Sequence, residues 1–189
     1  MNVLRVRGSS FEWGTRTYIM GVVNVTPDSF SGDGFSDAAR AIEHALNQYR
    51  RSSDVLDIGA ESTRPGHVPV DEKLECERLI PVVRGVRTQL PDAIISVDTY
   101  KPGVLRAAIA AGADMLNSVW GLPDELLAAA AELSVPVAIM HNKAEAVYEG
   151  NVMDEVLTFL HDAAQRALRS GIAREAILVD PGIGFGKTP

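Results

Sequence analysis

The chain has 189 residues, enough for one domain with a substantial buried core. Hydrophobic residues make up 46% of it and charged residues 23%, which is typical of a globular protein. The formal net charge of −7 argues against a general role on nucleic acids or membrane surfaces, since both favour an excess of Lys and Arg. The single cysteine, Cys76, excludes an internal disulfide and fits a reducing compartment. With no export signal or membrane span in the sequence, we expect a cytoplasmic protein.

Short apolar runs alternate along the chain with longer segments of helical periodicity. Six runs are predicted strands, at residues 18–24, 55–59, 94–98, 115–119, 137–141 and 177–180. Their nearly continuous apolar character is typical of strands that are buried on both faces of a sheet. Two of the intervening segments show an apolar face at helical spacing. These faces are formed by Cys76, Leu79, Val83, Val86 and Leu90, and by Val156, Leu157, Leu160, Ala164 and Leu168.

The alternation of strand and helix predicts an α/β protein with a parallel sheet and right-handed crossovers. Two architectures fit this pattern, a doubly wound open sheet and a (β/α)8 barrel. The chain is short for a complete barrel, which normally needs about 200 residues or more and eight strands. Periodicity alone leaves the two architectures open.

Polar side chains occur at or just after the end of each predicted strand. Any one of them could simply cap the following helix. Six in succession, however, favour a common functional rim, because barrel enzymes carry their chemistry at the carboxyl ends of the strands. The residues are Asn24, the 61–66 segment, Asp98, Asn117, His141 and Asp180.

The side chains of Asp98, Asn117 and Asp180 combine two carboxylates with one carboxamide. This set suits a flat heterocycle that carries an amino group beside a ring N–H, such as a pterin or a guanine. On residue type alone, metal binding is an equally good interpretation of the two aspartates. Arg64 follows Ser62 and Thr63 in a loop, where a guanidinium with nearby hydroxyls could hold a phosphate or a carboxylate. A solvated surface arginine is the alternative.

Five blocks of sequence together resemble the dihydropteroate synthases. Residues 24–30 (Asn-Val-Thr-Pro-Asp-Ser-Phe) and 61–66 (Glu-Ser-Thr-Arg-Pro-Gly) look like the first two signatures of that family. The blocks at 96–99, 140–141 and 180–187 follow in the family's order. The resemblance covers essentially the whole chain. It implies a single pterin-binding domain over residues 1–189 and a (β/α)8-type barrel, incomplete here with about six of eight βα units. It also implies an N-terminal β-hairpin over residues 3–13.

The resemblance further implies the folate-pathway condensation of 6-hydroxymethyl-7,8-dihydropterin diphosphate with p-aminobenzoate, assisted by Mg²⁺. Both partners are small molecules, and neither nucleic acid nor membrane is expected. The resemblance implies that Asp98, Asn117 and Asp180 hold the pterin. It implies that Thr63, Arg64, Pro65 and Phe185 contact the diphosphate and p-aminobenzoate. Asn24 is the residue implied for Mg²⁺, and Arg64 and Asp98 are those implied for catalysis.

Two departures from the family pattern qualify these expectations. Ser118 stands where the family usually has Asp, so pterin affinity could differ. The family also continues beyond this sequence, with a Ser-Arg-Lys block on strand seven and an Arg-x-His block on strand eight. We therefore expect a fragment of a longer product that has little or no synthase activity by itself and forms a homodimer at full length. The alternatives are a pterin-dependent methyltransferase-like barrel and an inactive pterin-binding fragment.

Overall fold

The computed structural model describes residues 3–25, 34–62 and 69–187 of the chain. Strands β1 (Val3–Val6) and β2 (Ser9–Glu12) form an antiparallel hairpin. The parallel strands are β3 (Met20–Asn24), β4 (Val55–Gly59), β5 (Ile94–Asp98), β6 (Met115–Ser118), β7 (Val137–Met140) and β8 (Ile177–Asp180). The helices are α1 (Gly34–Arg50), α2 (Glu72–Gln89), α3 (Pro102–Ala111), α4 (Asp124–Leu133) and α5 (Val152–Arg169), followed by a 3-10 turn (Arg174–Ala176).

The order of strands in the parallel sheet decides between the two architectures that periodicity left open. The six strands lie in the order β3-β4-β5-β6-β7-β8, so each is hydrogen-bonded to the next one along the chain. A doubly wound sheet reverses its strand order at a switch point, and this sheet has no such reversal among the described strands. The sheet therefore has the order of a (β/α)8 barrel. The predicted fold class, an incomplete barrel preceded by a β-hairpin, is confirmed.

The helices cover one face of the sheet and build the main core with it. In α2 the predicted apolar face is largely correct, with Leu79, Val83 and Val86 fully buried. In α5 one predicted core residue is wrong, because Leu157 is 59% exposed. The buried stripe of α5 instead runs through Val156, Leu160, Ala163 and Ala167. Leu157 is one residue, or about 100° around the helix, away from that stripe. In the described part of the chain, no helix is long and apolar enough to cross a membrane.

The hairpin closes the end of the sheet at which the strands begin. Its Leu4, Val6 and Phe11 form a second buried cluster with Val55, Ile94 and Met115, which are the first residues of β4, β5 and β6. The aromatic rings of Trp13 and Tyr18 pack against Phe11. Apolar side chains therefore seal the amino-terminal ends of the strands, so the polar residues that follow the strands lie at the opposite rim.

Candidate functional site

Three predicted site residues lie at one level of neighbouring strands. In the register of the sheet, Asn24 of β3 is opposite Gly59 of β4, Gly59 is opposite Asp98 of β5, and Asp98 is opposite Asn117 of β6. A Cβ atom on Gly59 would lie 3.3 Å from the Cβ of Asp98, so a side chain there would crowd the carboxylate. The glycine thus leaves room between Asn24 and Asp98 at the rim.

Asp57 is a member of this site that the sequence interpretation missed. It lies two residues before Gly59, hence on the same face of β4, and is only 4% exposed. The Asn117 Nδ2 atom donates a hydrogen bond of 2.8 Å to Asp57 Oδ2. The other oxygen, Oδ1, has no hydrogen-bond partner among the described residues. The sequence does contain a signal for Asp57, because it is a single acidic residue inside an apolar strand. Acidic residues are rarely buried unless they have a partner.

The contact with Asp57 orients the carboxamide of Asn117. Because the Nδ2 group donates to a buried carboxylate, the Oδ1 atom becomes the acceptor that this amide can offer to a ligand. Asp57, Asp98 and Asn117 together form what we call the acceptor cluster. It presents carboxylate and carbonyl oxygens at the rim, which matches the hydrogen-bonding needs of a ring that is rich in N–H donors.

Burial keeps negative charge in the acceptor cluster unfavourable. Desolvation, followed by the nearby charge of Asp57, raises the pKa of Asp98 well above its ordinary value. Desolvation likewise raises the pKa of Asp57, although the polar side chains of Ser96 and Asn117 oppose this effect. In the described part of the chain, neither carboxylate forms an ion pair. A ligand that donates hydrogen bonds to these oxygens would stabilise their ionised form.

Asp180 lies on the same rim but farther around it. It is exposed at the end of β8, opposite Met140 of β7, and its Oδ1 accepts a 2.7 Å hydrogen bond from the backbone N–H of Gly182. Since β7 separates β6 from β8, Asp180 is two strands away from Asn117. The fold thus brings Asn24, Asp98 and Asn117 to the same level of the sheet, with Asp180 at the end of the strand two places beyond Asn117.

The remaining predicted residues fall into two groups. Thr63, Arg64 and Pro65 lie outside the described residues. Phe185 is half-buried in the loop after β8, where its backbone N–H donates to the carbonyl of Gly182 at 3.0 Å.

His141 and Ser118, the two other polar residues singled out at strand ends in the sequence, are buried in the structure. The ring of His141 is edge-on to Phe159, at 5.1 Å between ring centroids. Burial, assisted by the nearby charge of Lys187, lowers the pKa of His141 below its ordinary value. Ser118 is fully buried, and its hydroxyl donates to the carbonyl of Gly121 in the loop after β6. Its hydroxyl is therefore used to fold that loop.

A second group of buried acidic residues lies beside α2 and α3. Lys101 contacts the carboxylates of both Glu61 and Glu75, whose side chains are 5% and 1% exposed. The hydroxyl of Tyr100 donates to Glu61 at 2.8 Å. Burial alone would raise the pKa of Glu61, but hydrogen bonds from Lys101 and Tyr100 lower it below its ordinary value. We call Glu61, Glu75 and Lys101 the neutralised cluster.

A cavity of about 520 Å³ lies away from the predicted site. Its lining includes Val3 and Trp13 of the hairpin segment, His161 of α5 and Ile177 at the start of β8. It therefore opens near the amino-terminal ends of the strands, and none of the predicted site residues lines it.

Comparisons with known proteins agree with this geometry. Residues 20–189 match the family model described as pterin binding enzyme. The chain is 39% identical over 188 residues to the dihydropteroate synthase of Clostridium beijerinckii, a match that covers 98% of this chain and 69% of the relative. The curated relatives that it matches are longer, and the chain spans 64% to 69% of their length.

Solved structures give the same result. The fold is similar to Xanthomonas albilineans dihydropteroate synthase with 4-aminobenzoic acid, with a TM-score of 0.91 and 42% identity over 99% of this chain and 68% of that one. It is also similar to the same enzyme in complex with 7,8-dihydropteroate, with a TM-score of 0.87 and 40% identity over 98% and 68% of the two chains.

Proposed function

Because this chain belongs to the pterin binding enzyme family, and is similar to dihydropteroate synthases over nearly its whole length, we propose that it is the pterin-binding part of such a synthase. The observation that carries the proposal is the acceptor cluster. The buried carboxylate of Asp57, the half-buried carboxylate of Asp98 and the oriented carboxamide of Asn117, without a cation among the described residues, suit a ring that offers several N–H donors. We regard residues 1–189 as a single pterin-binding domain.

The proposed reaction joins 6-hydroxymethyl-7,8-dihydropterin diphosphate to p-aminobenzoate. The bond between the pterin methylene carbon and the bridging diphosphate oxygen breaks, and diphosphate leaves with the bonding electrons. The amine nitrogen of p-aminobenzoate then bonds to that carbon and loses a proton, which gives 7,8-dihydropteroate. Asp98 and Asn117 would hold the ring through its N–H groups, and the Asp98 carboxylate would stabilise the positive charge left on the pterin. Asp180 would complete the pterin contacts from across the rim.

The groups proposed for the other substrate atoms come from the family resemblance. Thr63 and Arg64 would hold the diphosphate, with Arg64 stabilising the departing negative charge. Pro65 and Phe185 would flank p-aminobenzoate and so hold a weak nucleophile near the methylene carbon. We further propose that the whole protein is a cytoplasmic homodimer.

Asn24 is the residue proposed to hold Mg²⁺. Its side chain is exposed at the end of β3, beside the acceptor cluster, and an amide oxygen is a hard donor that suits this ion. Among the described residues there is no group of three or more acidic, His or Cys side chains that could hold a metal by themselves. Diphosphate oxygens would therefore supply further ligands. When bound, Mg²⁺ would neutralise charge on the leaving diphosphate.

Titration calorimetry with the pterin diphosphate tests the proposal. We expect binding to this chain to depend on Mg²⁺, and the whole protein that carries the chain to convert p-aminobenzoate. The 189-residue chain alone should show little or no turnover. Equal or tighter binding of a methylated tetrahydrofolate, independent of Mg²⁺, would instead support a pterin-dependent methyltransferase. Rapid turnover by the 189-residue chain would contradict the expectation that it is catalytically incomplete.

A further inference from the structure

Lys187 makes an unusual set of contacts for a lysine at the end of a loop. Its Nζ atom donates to the backbone carbonyls of Phe185 at 2.9 Å, Gly182 at 3.0 Å and His141 at 3.2 Å. An ammonium group has three protons and no acceptor, so these three carbonyls use its full donor capacity. Two of the carbonyls belong to the loop after β8, and the third belongs to the residue that follows β7. Lys187 thus connects the ends of two neighbouring strands.

The two connected segments also approach each other through their backbones. Gly182 and Gly186 both have positive φ angles, of +66° and +62°. A Cβ atom on Gly182 would collide with the carbonyl of His141, and one on Gly186 would collide with the carbonyl of Lys143. The Tyr148 hydroxyl donates to the carbonyl of Gly186 at 2.7 Å. Residues 182–187 are therefore seated directly on the segment 141–148.

These contacts fix the backbone that carries Phe185. The Phe185 carbonyl accepts from Lys187, and its N–H donates to Gly182, so both of its polar backbone groups are held within the loop. At the start of the same loop, Asp180 Oδ1 accepts from the N–H of Gly182. The loop is consequently tied down at Asp180, at Phe185 and at Gly186.

We propose that Lys187 is a positioning residue that holds the 181–186 loop on the end of β7 and thereby places Phe185 against the second substrate. The inference rests on the proposed synthase function and adds to it a residue that acts through the backbone. The Lys187 ammonium is occupied by three carbonyls, so a direct contact with the substrate diphosphate would require at least one of these hydrogen bonds to be given up. Burial also lowers the pKa of Lys187, with Asp180 opposing the effect, as expected for an ammonium shielded from water.

The test compares three variants of the whole protein that carries this chain. Lys187→Met removes the ammonium, and Tyr148→Phe removes only the hydroxyl that contacts Gly186. Lys73→Met is the control for loss of a lysine charge, because Lys73 is 87% exposed and its ion pair with Glu77 spans 3.8 Å. For each variant, the measurements are the KM for p-aminobenzoate, the Kd for the pterin diphosphate, and amide hydrogen exchange at residues 182–186.

Lys187→Met should raise the KM for p-aminobenzoate by roughly tenfold to a hundredfold, because a displaced contact residue misplaces the nucleophile. It should leave the Kd for the pterin diphosphate unchanged and speed exchange of the loop amides. Tyr148→Phe should act in the same direction with a smaller effect, and Lys73→Met should have none.

Two results would overturn the proposal. One is an unchanged KM in Lys187→Met, or in Tyr148→Phe if the lysine variant does not fold. The other is an equal loss of pterin diphosphate binding, which would make Lys187 an anion ligand. If the wild-type protein binds pterin but never uses p-aminobenzoate, the proposed synthase function fails instead. In that case amide hydrogen exchange at residues 182–186 still tests whether Lys187 holds the loop. Unchanged exchange rates in Lys187→Met would refute that role.

Discussion

The acceptor cluster and the neutralised cluster contain the same kind of group in opposite electrostatic situations. In the neutralised cluster, Lys101 contacts both Glu61 and Glu75. In the acceptor cluster, Asp57 accepts a hydrogen bond from Asn117, and neither Asp57 nor Asp98 contacts a cation among the described residues. Buried carboxylates that contact a cation of the protein support the fold, whereas carboxylates that lack a cation among the described residues favour a ligand that donates hydrogen bonds to them. This difference supports our proposal that the acceptor cluster is the one that binds the pterin.

The largest expected effect comes from removing the cation of the neutralised cluster. Lys101→Met should lower the free energy of unfolding by about 3–5 kcal/mol, because it removes the cation that contacts the buried carboxylates of Glu61 and Glu75. Urea denaturation at neutral pH measures this change, and Lys73→Met serves as the exposed-lysine control. A loss below about 1 kcal/mol, the range of surface ion pairs, would show that the two clusters do not differ in the way described.

The opposite result is expected when a carboxylate is removed from the acceptor cluster. Asp98→Ala should weaken pterin binding by at least about a hundredfold, because the ring donors lose a charged acceptor. The same change should leave the free energy of unfolding unchanged or higher, since it removes a buried carboxylate without an ion-pair partner. Titration calorimetry measures the dissociation constant for the pterin, and urea denaturation of the same preparation measures the free energy of unfolding. An unchanged dissociation constant would refute the assignment of Asp98 to the pterin.

The pH dependence of stability should distinguish the clusters by sign. In the ligand-free protein, folded Asp57 and Asp98 hold protons that the unfolded chain has already released, so their contribution to stability is lost as pH rises from about 4 through their raised pKa values. A bound pterin that donates hydrogen bonds to Asp98 would favour its ionised form. The slope is at most about 1.4 kcal/mol per pH unit for each proton. In the Asp57→Asn/Asp98→Asn double variant this slope should disappear.

Glu61 should behave in the reverse way. Its pKa is lowered in the folded state, so its contribution is present above the ordinary value of 4.5 and is lost as pH falls through the lowered value. Glu61→Gln should therefore flatten only the acid side of the stability profile, a smaller effect than the others. Unfolding curves recorded between pH 3 and pH 8 would measure this change. Equal flattening of the stability profile on its acid and alkaline sides would contradict the proposed difference between the two clusters.

The positions of the strands and of the polar residues at their ends could largely be predicted from the sequence. Apolar runs marked all six parallel strands to within two residues, and parallel pairing then brings strand ends such as Asp98 and Asn117 to one edge. Periodicity could not choose the architecture, because strand order depends on contacts between distant segments. It is the observed order, β3 to β8, that selects the barrel.

What the sequence interpretation missed depends on tertiary contacts. Asp57 lies inside a strand, so a search for polar residues at strand ends does not find it, although its side chain holds Asn117 in place. The neutralised cluster joins residues that are up to 40 positions apart, and no local pattern reveals such a grouping. Leu157 was assigned to the core of α5 because it is apolar, yet the sheet contacts the adjacent stripe of that helix.

The sequential order of the strands has a consequence for how the protein is synthesised. Chains emerge from the ribosome amino terminus first, and each parallel strand here pairs with the one made just before it. All three members of the acceptor cluster belong to β4, β5 and β6. The acceptor cluster is therefore complete once residue 118 has docked, before β8 and its Asp180 join the sheet. A nascent chain that contains these strands but not β8 already carries Asp98 and Asn117, two of the three residues that we assign to the pterin.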